Sequence, residues 1–292
     1  MTLHIPGVLT VEGQGSQRLP LVMDSPHSGT DYPQEFRHAA DPKTLRHAED
    51  THVHDLWAGA VQAGALLLHA HFPRSYVDAN RASDDMDPAA IEGMYPEPLN
   101  PSIKSQLGIG LCWTRVPPDG GPLYDRPLTA DEVYARVTNY HRPYQTTLRS
   151  LLDAAHAHWG TVWHVNCHSM QEVASAMSTQ DKGTPRPDFV LGDRDGTACA
   201  PAFTKAVESF LIERGYSVAI NDPYKGMELV RANGDPADGR HSLQIEVNRK
   251  LYMDETTREP NAGYDALKST FTDLSRHLAG HVSEALKESF AQ

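Results

Sequence analysis

Thr161-Val162-Trp163-His164-Val165-Asn166-Cys167-His168-Ser169-Met170 is the stretch that decides the fold of this chain. Its apolar first half is typical of a buried strand, and His168 lies where that strand would end. In an open α/β sheet, ligands and metals are bound outside the carboxyl ends of the strands. We therefore expect His168 to point into a cleft if other segments supply matching groups, and to be a packing histidine if they do not.

Two segments nearer the amino terminus supply such groups. Asp24-Ser25-Pro26-His27-Ser28-Gly29 follows the apolar residues 19–23, so His27 also lies just beyond a predicted strand, at a turn marked by proline and glycine. Residues 74–81 carry two arginines and an asparagine around a short Tyr-Val pair. These segments add a second histidine and a group of cations.

A third segment, residues 243–249, adds a carboxylate. Its apolar residues alternate, which places Gln244, Glu246 and Asn248 on the opposite face of one strand. A carboxylate in the middle of such a strand is unusual, because an unpaired buried charge is costly. Two histidines, a strand carboxylate and clustered arginines together indicate a hydrolytic metal centre that acts on an anion.

Composition is consistent with an enzyme of this kind. A chain of 292 residues can form one large α/β domain. Its formal net charge of −12 argues against nucleic acid or an anionic membrane as a partner. The start of the chain does not resemble a signal peptide, and no apolar run reaches the roughly 18 residues that cross a bilayer. The cysteines are odd in number and widely spaced, so we expect no disulfide framework and a cytoplasmic protein.

Strand and helix patterns alternate along the chain, which predicts a single-domain α/β fold with a mixed, mostly parallel sheet flanked by helices. The predicted strands are 19–24, 65–71, 74–78, 161–167, 188–192, 216–220 and 242–248. The predicted helices are 50–63, 129–142 with a continuation to 157 after an interruption at Pro143, 201–214 and 262–288. Thr129 and Glu132 form a capping-box pattern at the start of the second helix.

Residues 82–126 are rich in proline, glycine and aspartate and show no clear periodicity. A loop region of that length in a compact domain is usually functional or disordered. Because it directly follows Arg81, we expect it to form a wall or lid of the site within one catalytic domain, residues 1–292.

Several short motifs occur in a fixed order: Ser-Pro-His-Ser-Gly at 25–29, Asp-Ala-Asn-Arg at 78–81, Asn-Cys-His-Ser-Met at 166–170 and Gln-Ile-Glu-Val-Asn-Arg at 244–249. The set, extended by 223–226 and 251–255, resembles the N-formylglutamate amidohydrolase family over about residues 20–255. That family is related to the zinc carboxypeptidases and aspartoacylases. The resemblance implies a zinc-carboxypeptidase-like architecture and hydrolysis of N-formyl-L-glutamate to formate and L-glutamate, the last step of a histidine degradation route.

The resemblance also implies a metal site for Zn²⁺ or another divalent ion. His27 and His168 match the two histidine ligands of the related enzymes, but Thr30 stands where those enzymes have a glutamate ligand. We favour Asp50 as the acidic ligand, because it begins the helix predicted after the first strand. The candidates for this ligand are Asp31, Glu49 and Asp50.

Further roles follow from the same resemblance. Glu246 would act as the general base, although a salt bridge to Arg249 is the alternative. Arg74 would stabilise the oxyanion. Asp78 would orient one of the imidazoles or cap a strand end. Asn80 and Arg81 would bind the substrate α-carboxylate, and the cations considered for the second carboxylate, in order of preference, are Arg231, then Lys225 or Arg115.

Two other functions stay open at this point. One is hydrolysis of another N-acyl amino acid or a peptide end, and the other is non-catalytic binding of a metal or an amino acid. In each enzymatic case the partner is a small anionic N-acyl amino acid. The native metal and the oligomeric state are not indicated by the sequence.

Overall fold

Strands and helices alternate along most of the chain, in a computed structural model that describes residues 2–178 and 182–290. The described strands are β1 (Leu3–Ile5), β2 (Leu9–Glu12), β3 (Leu21–Ser25), β4 (Leu66–Ala70), β5 (Ile91–Glu92), β6 (Arg115–Val116), β7 (Gly121–Pro122), β8 (Leu128–Thr129), β9 (Val162–Met170), β10 (Phe189–Gly192), β11 (Val218–Ile220) and β12 (Arg240–Asn248). The described helices are α1 (Pro42–Arg46), α2 (Val53–Leu56), α3 (Ile103–Gln106), α4 (Ala130–Arg136), α5 (Arg142–Trp159), α6 (Pro201–Glu213), α7 (Glu228–Asn233) and α8 (Tyr264–Phe290).

One eight-stranded sheet organises the fold, in the order β1-β2-β4-β3-β9-β12-β10-β11. The central strand β9 pairs in parallel with β3 on one side and β12 on the other. Pairs β3–β4 and β10–β11 are also parallel, whereas β1–β2, β2–β4 and β10–β12 are antiparallel. The predicted single-domain α/β class with a mixed, mostly parallel sheet is therefore confirmed. The carboxyl ends of β3, β9 and β12 meet at one edge.

Apolar side chains cover both faces of this sheet. In β3, Leu21 and Met23 pack into one core cluster with α6 and α8, and Val22 packs into the other with α5. All nine residues of β9 are buried. The three cysteines are free thiols, as expected. Among the described helices, none combines the length and the apolar character needed to span a bilayer.

The prediction of a strand at 74–78 is wrong. The segment is a turn, in which the Tyr76 N–H donates to the Pro73 carbonyl at 3.0 Å, and the Asp78 N–H donates to Leu111 at 2.7 Å. The Tyr-Val pair is buried there by packing rather than by sheet pairing. The sequence pattern also missed β1, β2 and α7.

Two helix predictions need correction. The helix predicted at 50–63 begins only at Val53, because His52 has a left-handed backbone with φ of 69°, and it is divided at Trp57 into α2 and a 3₁₀ turn at Ala58–Ala60. The predicted interruption at Pro143 is absent. A π turn at Val137–His141 links α4 to α5, and the Arg142 N–H bonds to the Val137 carbonyl. This wider turn precedes the proline and lets the helix continue.

The capping box and the two later helices agree with the sequence patterns. Thr129 accepts a hydrogen bond from the Glu132 N–H, and the Glu132 carboxylate accepts one from the Thr129 N–H. Helices α6 and α8 begin and end within two residues of their predicted bounds. Residues 82–126 contain only short elements, α3 and β5 to β7.

Candidate active site

A cavity of about 440 Å³ lies at the carboxyl edge of β9 and β12. The residues 82–126 supply part of its wall through Lys104, Ile109, Trp113 and Pro117. Six of the predicted site residues line it: His27, Arg74, Asn80, Arg81, His168 and Glu246. The fold therefore gathers side chains that are as far apart in sequence as His27 and Glu246.

Three ligand atoms converge at the floor of this cavity. His27 Nδ1 lies 3.1 Å from His168 Nδ1, and Asp50 Oδ2 lies 3.4 Å from the first and 3.1 Å from the second. All three side chains are buried. Two imidazole nitrogens and one carboxylate oxygen within 4.8 Å of one another are a donor set that fits a divalent metal and leaves a position open for water or substrate.

The loops on either side place these groups. Gly29 lets the segment after His27 lie against residues 71–72, because a β-carbon at this position would collide with the His71 carbonyl. The Asp50 N–H donates to the His27 carbonyl at 2.9 Å. This backbone contact brings Asp50 beside His27, although twenty-two residues separate them in sequence.

The geometry brings Asp50, rather than Glu49 or Asp31, to the two histidines. The Glu49 carboxylate accepts hydrogen bonds from Tyr32 and Thr51 away from the cluster, at 2.6 and 2.9 Å. Asp31 is exposed to solvent. Adjacent residues such as 49 and 50 point in different directions, so the choice between them depends on the backbone path and not on residue type.

Asp50 is held in its ionised form. Burial alone would raise the pKa of this carboxyl, but its contacts with His168 and His27 and the charge of Arg249 hold it well below its usual value. The Arg249 Nη2 donates to Asp50 Oδ1 at 2.9 Å. An ionised carboxylate is the form that binds a metal.

Hydrogen bonds on the far side of each imidazole ring determine which nitrogen faces the cluster. His27 Nε2 lies 2.6 Å from Asp78 Oδ1, and His168 Nε2 lies 2.7 Å from Asn166 Oδ1. Both partners accept these hydrogen bonds, so each Nε2 carries the proton and each Nδ1 presents a lone pair. Asn80 Nδ2 also lies 3.1 Å from His168 Nε2, and it donates to the same Asn166 Oδ1 at 3.3 Å. Asp78 therefore contacts His27 in the way the sequence suggested.

Glu246 lies next to His168 across the β9–β12 pair. Its carboxylate accepts a hydrogen bond from Gln244 Nε2 at 2.8 Å. Burial raises the pKa of Glu246, and the nearby Asp50 charge raises it further against the opposing effect of His168 and Arg74. The alternative salt bridge to Arg249 is not formed between these described residues, because Arg249 bonds Asp50 and Ser169 instead.

The cations near the cavity differ in their partners. Arg74 pairs with Asp78 at 2.9 Å, and its guanidinium lies 5.1 Å from the Trp113 ring centroid. Arg81 is buried, and its Nε and Nη1 have no hydrogen-bond partner within the described residues. Asn80 Oδ1 accepts from the Leu229 N–H at 2.8 Å. Arg81 therefore offers donors to a ligand.

The structure does not bring Arg231 to the site. Its Nε and Nη2 pair with Glu228 at 2.8 Å, more than half of its side chain is exposed, and it is not among the described residues that line the cavity. Arg115 is likewise outside that lining and donates to the Gly120 carbonyl. Lys225 lines the cavity, but its Nζ pairs with Asp195 at 2.8 Å.

Arg186 is one of the lining residues that the sequence did not indicate. It is buried, and its guanidinium carbon lies 5.0 Å from the Tyr224 ring centroid. It stands in an irregular segment between two prolines before β10, where no periodic pattern marks a site. The one available signal is Tyr224, which belongs to the Pro-Tyr-Lys-Gly motif at 223–226.

Comparisons with known proteins show which family this chain resembles. The sequence model of the N-formylglutamate amidohydrolase family matches residues 19–253. The crystal structure of N-formylglutamate amidohydrolase from Ralstonia eutropha JMP134 is 46% identical, covers 96% of this chain and 99% of that chain, and superimposes with a TM-score of 0.91.

Two curated relatives are both named N-formylglutamate deformylase. The protein from Pseudomonas aeruginosa is 29% identical over 248 residues, and the protein from Pseudomonas putida is 29% identical over 246 residues. Each match covers 82% of this chain and 84% of the relative. The family match extends over most of the chain and contains every motif residue of the cavity floor, and the chain therefore belongs to the N-formylglutamate amidohydrolase family.

Proposed function

We propose that this protein is a zinc-dependent amidohydrolase that converts N-formyl-L-glutamate and water to formate and L-glutamate, in the cytoplasm and as the last step of histidine degradation. The observation that carries the proposal is the convergence of His27 Nδ1, His168 Nδ1 and Asp50 Oδ2 beside the buried Glu246 carboxylate. The names of the relatives support the choice of substrate.

The residues of the cluster would hold the metal. A bound divalent ion supplies Lewis acidity, which lowers the pKa of water and polarises a carbonyl group. His27, His168 and Asp50 would be its protein ligands, and Asp78 and Asn166 orient the two imidazoles from behind. The single negative charge of this ligand set offsets part of the charge of the ion.

Glu246 would act as the general base and then as the general acid. Its carboxylate would accept a proton from the attacking water and deliver it to the amide nitrogen as the bond between the formyl carbon and that nitrogen breaks. The buried setting that raises the pKa of this carboxyl makes the carboxylate a better base than an exposed glutamate. Gln244 holds it in position.

The arginines would bind the charges of substrate and intermediate. Arg74 would stabilise the negative oxygen of the tetrahedral intermediate, and Asn80 with Arg81 would bind the α-carboxylate. Arg81 supports this role because two of its donors lack partners within the described residues. For the side-chain carboxylate we propose Arg186, since it lines the same cavity as Arg81.

Release of the free amino acid tests the proposal, with N-formyl-L-glutamate, N-acetyl-L-aspartate and N-succinyl-L-glutamate supplied separately as substrates and formate measured as the second product of the formyl compound. We expect turnover of the formyl compound that a chelator abolishes and added Zn²⁺ restores. Equal rates on all three compounds would contradict the substrate, and turnover that survives complete metal removal would contradict the metal.

A Glu246→Gln variant tests the base in the same assay. We expect a loss of about 10²- to 10⁴-fold in kcat at an unchanged zinc content, which is the usual contribution of general acid–base catalysis. Glu213→Gln is the matched control because Glu213 is exposed at the end of α6. Wild-type turnover in the zinc-loaded Glu246→Gln protein would show that another group is the base.

A further inference from the structure

A buried polar network lies behind His168. His164, Asn166 and His168 alternate along β9 and therefore share one face of the sheet. Asp24 lies opposite Asn166 on the neighbouring strand β3. None of these four side chains is more than about 2% exposed. The apolar residues between them face the other side of the sheet, so this polar row is a feature of one face only.

Asp24 is the acceptor at the centre of this network. Its Oδ1 lies 2.8 Å from His164 Nε2 and 2.7 Å from Asn166 Nδ2, and its Oδ2 accepts from the Tyr144 hydroxyl at 2.7 Å. Burial raises the pKa of this carboxyl, but the hydrogen bonds from His164, Asn166 and Tyr144 leave it below its usual value. Asp24 is therefore ionised, and each of these three contacts joins one of its oxygens to a hydrogen-bond donor.

This arrangement fixes the orientation of the Asn166 amide. An amide side chain has one donor end and one acceptor end, and the Asp24 carboxylate accepts a hydrogen bond only from the donor end. Asn166 Nδ2 therefore faces Asp24, and Asn166 Oδ1 must face His168 Nε2, at 2.7 Å. If the amide were reversed, its NH₂ would meet Nε2, and the proton of the neutral ring would move to Nδ1, where it would block metal binding.

We propose that Asp24 is a positioning residue of the metal site. By orienting Asn166, it selects the His168 tautomer whose Nδ1 can bind the ion. The Nε2 of His27 bonds directly to the Asp78 carboxylate. The Nε2 of His168 bonds instead to the Asn166 amide, which cannot take up the proton itself. This inference rests on the metal site of the proposed function.

Zn²⁺ affinity of the folded protein is the deciding measurement, by competition with a chelator of known affinity. We expect Asp24→Leu, which removes both acceptor oxygens, to weaken Zn²⁺ binding by about 10- to 100-fold, which is typical of losing an outer partner of a ligating histidine. Asp193→Leu is the matched control. Asp193 is also buried and accepts three hydrogen bonds, from Gly196, Thr204 and Asn221, but has none with the network.

A second variant tests whether Asp24 acts on His168 through Asn166. It also gives a result if the first variant does not fold. Asn166→Ala removes the acceptor of His168, and we expect it to weaken Zn²⁺ binding by a similar factor. In the Asn166→Ala background, Asp24→Leu should then produce little further loss, because the two residues act in series. Independent, additive losses of Zn²⁺ affinity would show that Asp24 does not act through Asn166.

Other outcomes separate this inference from the proposed function. If the wild type shows no measurable Zn²⁺ affinity, the proposed metal site itself is wrong. If the wild type binds Zn²⁺ and the affinities of Asp24→Leu and Asn166→Ala stay within twofold of it, Asp24 has only a structural role. Should Asp24→Leu not fold, an unchanged affinity of Asn166→Ala alone would still overturn the proposal.

Discussion

At the scale of single residues, the site is a set of buried charges, most of which have partners. Burying a charge is costly unless it is paired or hydrogen-bonded. Asp50 is bonded by Arg249, and Asp78 by Arg74. Arg81 lies 4.0 Å from Asp78 at the nearest approach and retains two donors without a partner within the described residues. That cost is offset if an anionic ligand completes the pairing.

Substitution of the two cavity arginines should separate the two substrate carboxylates. We expect Arg186→Met to lower kcat/KM for N-formyl-L-glutamate by about 10- to 150-fold, because a hydrogen bond to a charged group contributes about 1.5–3 kcal/mol. Its kcat/KM for the neutral isostere N-formyl-L-glutamine should change little. Arg81→Met should impair both substrates, since both carry the α-carboxylate. Equal losses of the Arg186 variant on the two substrates would contradict its assignment.

At the scale of elements, β9 carries both a candidate metal ligand and core residues on its two faces. Trp163, Val165 and Cys167 face an apolar cluster with α8, and the residues between them form the polar row that ends at His168. The period of two in a strand makes this division possible. Helices α5 and α7 pack against β9 on the polar side, and α4, which leads into α5, begins at the capping box of Thr129.

The capping box should contribute to stability independently of catalysis. We expect Thr129→Ala to lower the free energy of unfolding by about 1 kcal/mol, because it removes a side-chain acceptor for an N–H of the first helical turn. Urea denaturation measures this loss, with formate release as the check on the site. Ser269→Ala, at an exposed position inside α8, is the control and should be neutral or slightly stabilising. No difference between the two variants would contradict the assigned cap.

At the scale of the whole molecule, several half-buried histidines are kept neutral by the fold. The clearest is His69 in β4, where burial, with smaller contributions from His54 and His71, lowers the pKa to about 4. An unfolded histidine has a pKa of about 6.5. Between these values the unfolded chain binds the extra proton and the folded chain does not. The stability of the fold is therefore lost progressively as the pH falls from about 6.5 towards 4.

Urea denaturation of the metal-free protein at pH 7 and pH 4.5 tests this linkage. We expect the wild type to lose more free energy of unfolding between these pH values than His69→Gln, because the variant lacks one of the groups that titrate on unfolding. His158→Gln, at an exposed position, should follow the wild type. If His69→Gln and the wild type lose equal amounts, His69 is not a source of the acid sensitivity.

The sequence alone indicated the sheet class, the family and three candidate site residues, which lie on strands or just beyond them. His27, His168 and Glu246 could be found because alternation and turn residues are local signals, set by neighbours a few positions away. The Arg74–Arg81 segment was found as a cluster of charges, but its predicted strand is a turn. The contacts of that turn are with Pro73 and Leu111, and no local pattern encodes them.

Only the tertiary structure decided which side chains meet. Asp50 rather than Glu49 joins the histidines because its backbone bonds to His27, and Arg186 rather than Arg231 lines the cavity because separate loops converge there. These are contacts between distant segments, determined by the packing of the whole chain. Strand periodicity thus determined at which positions polar side chains could face a cleft. Long-range packing determined which of these side chains lie together in the candidate site.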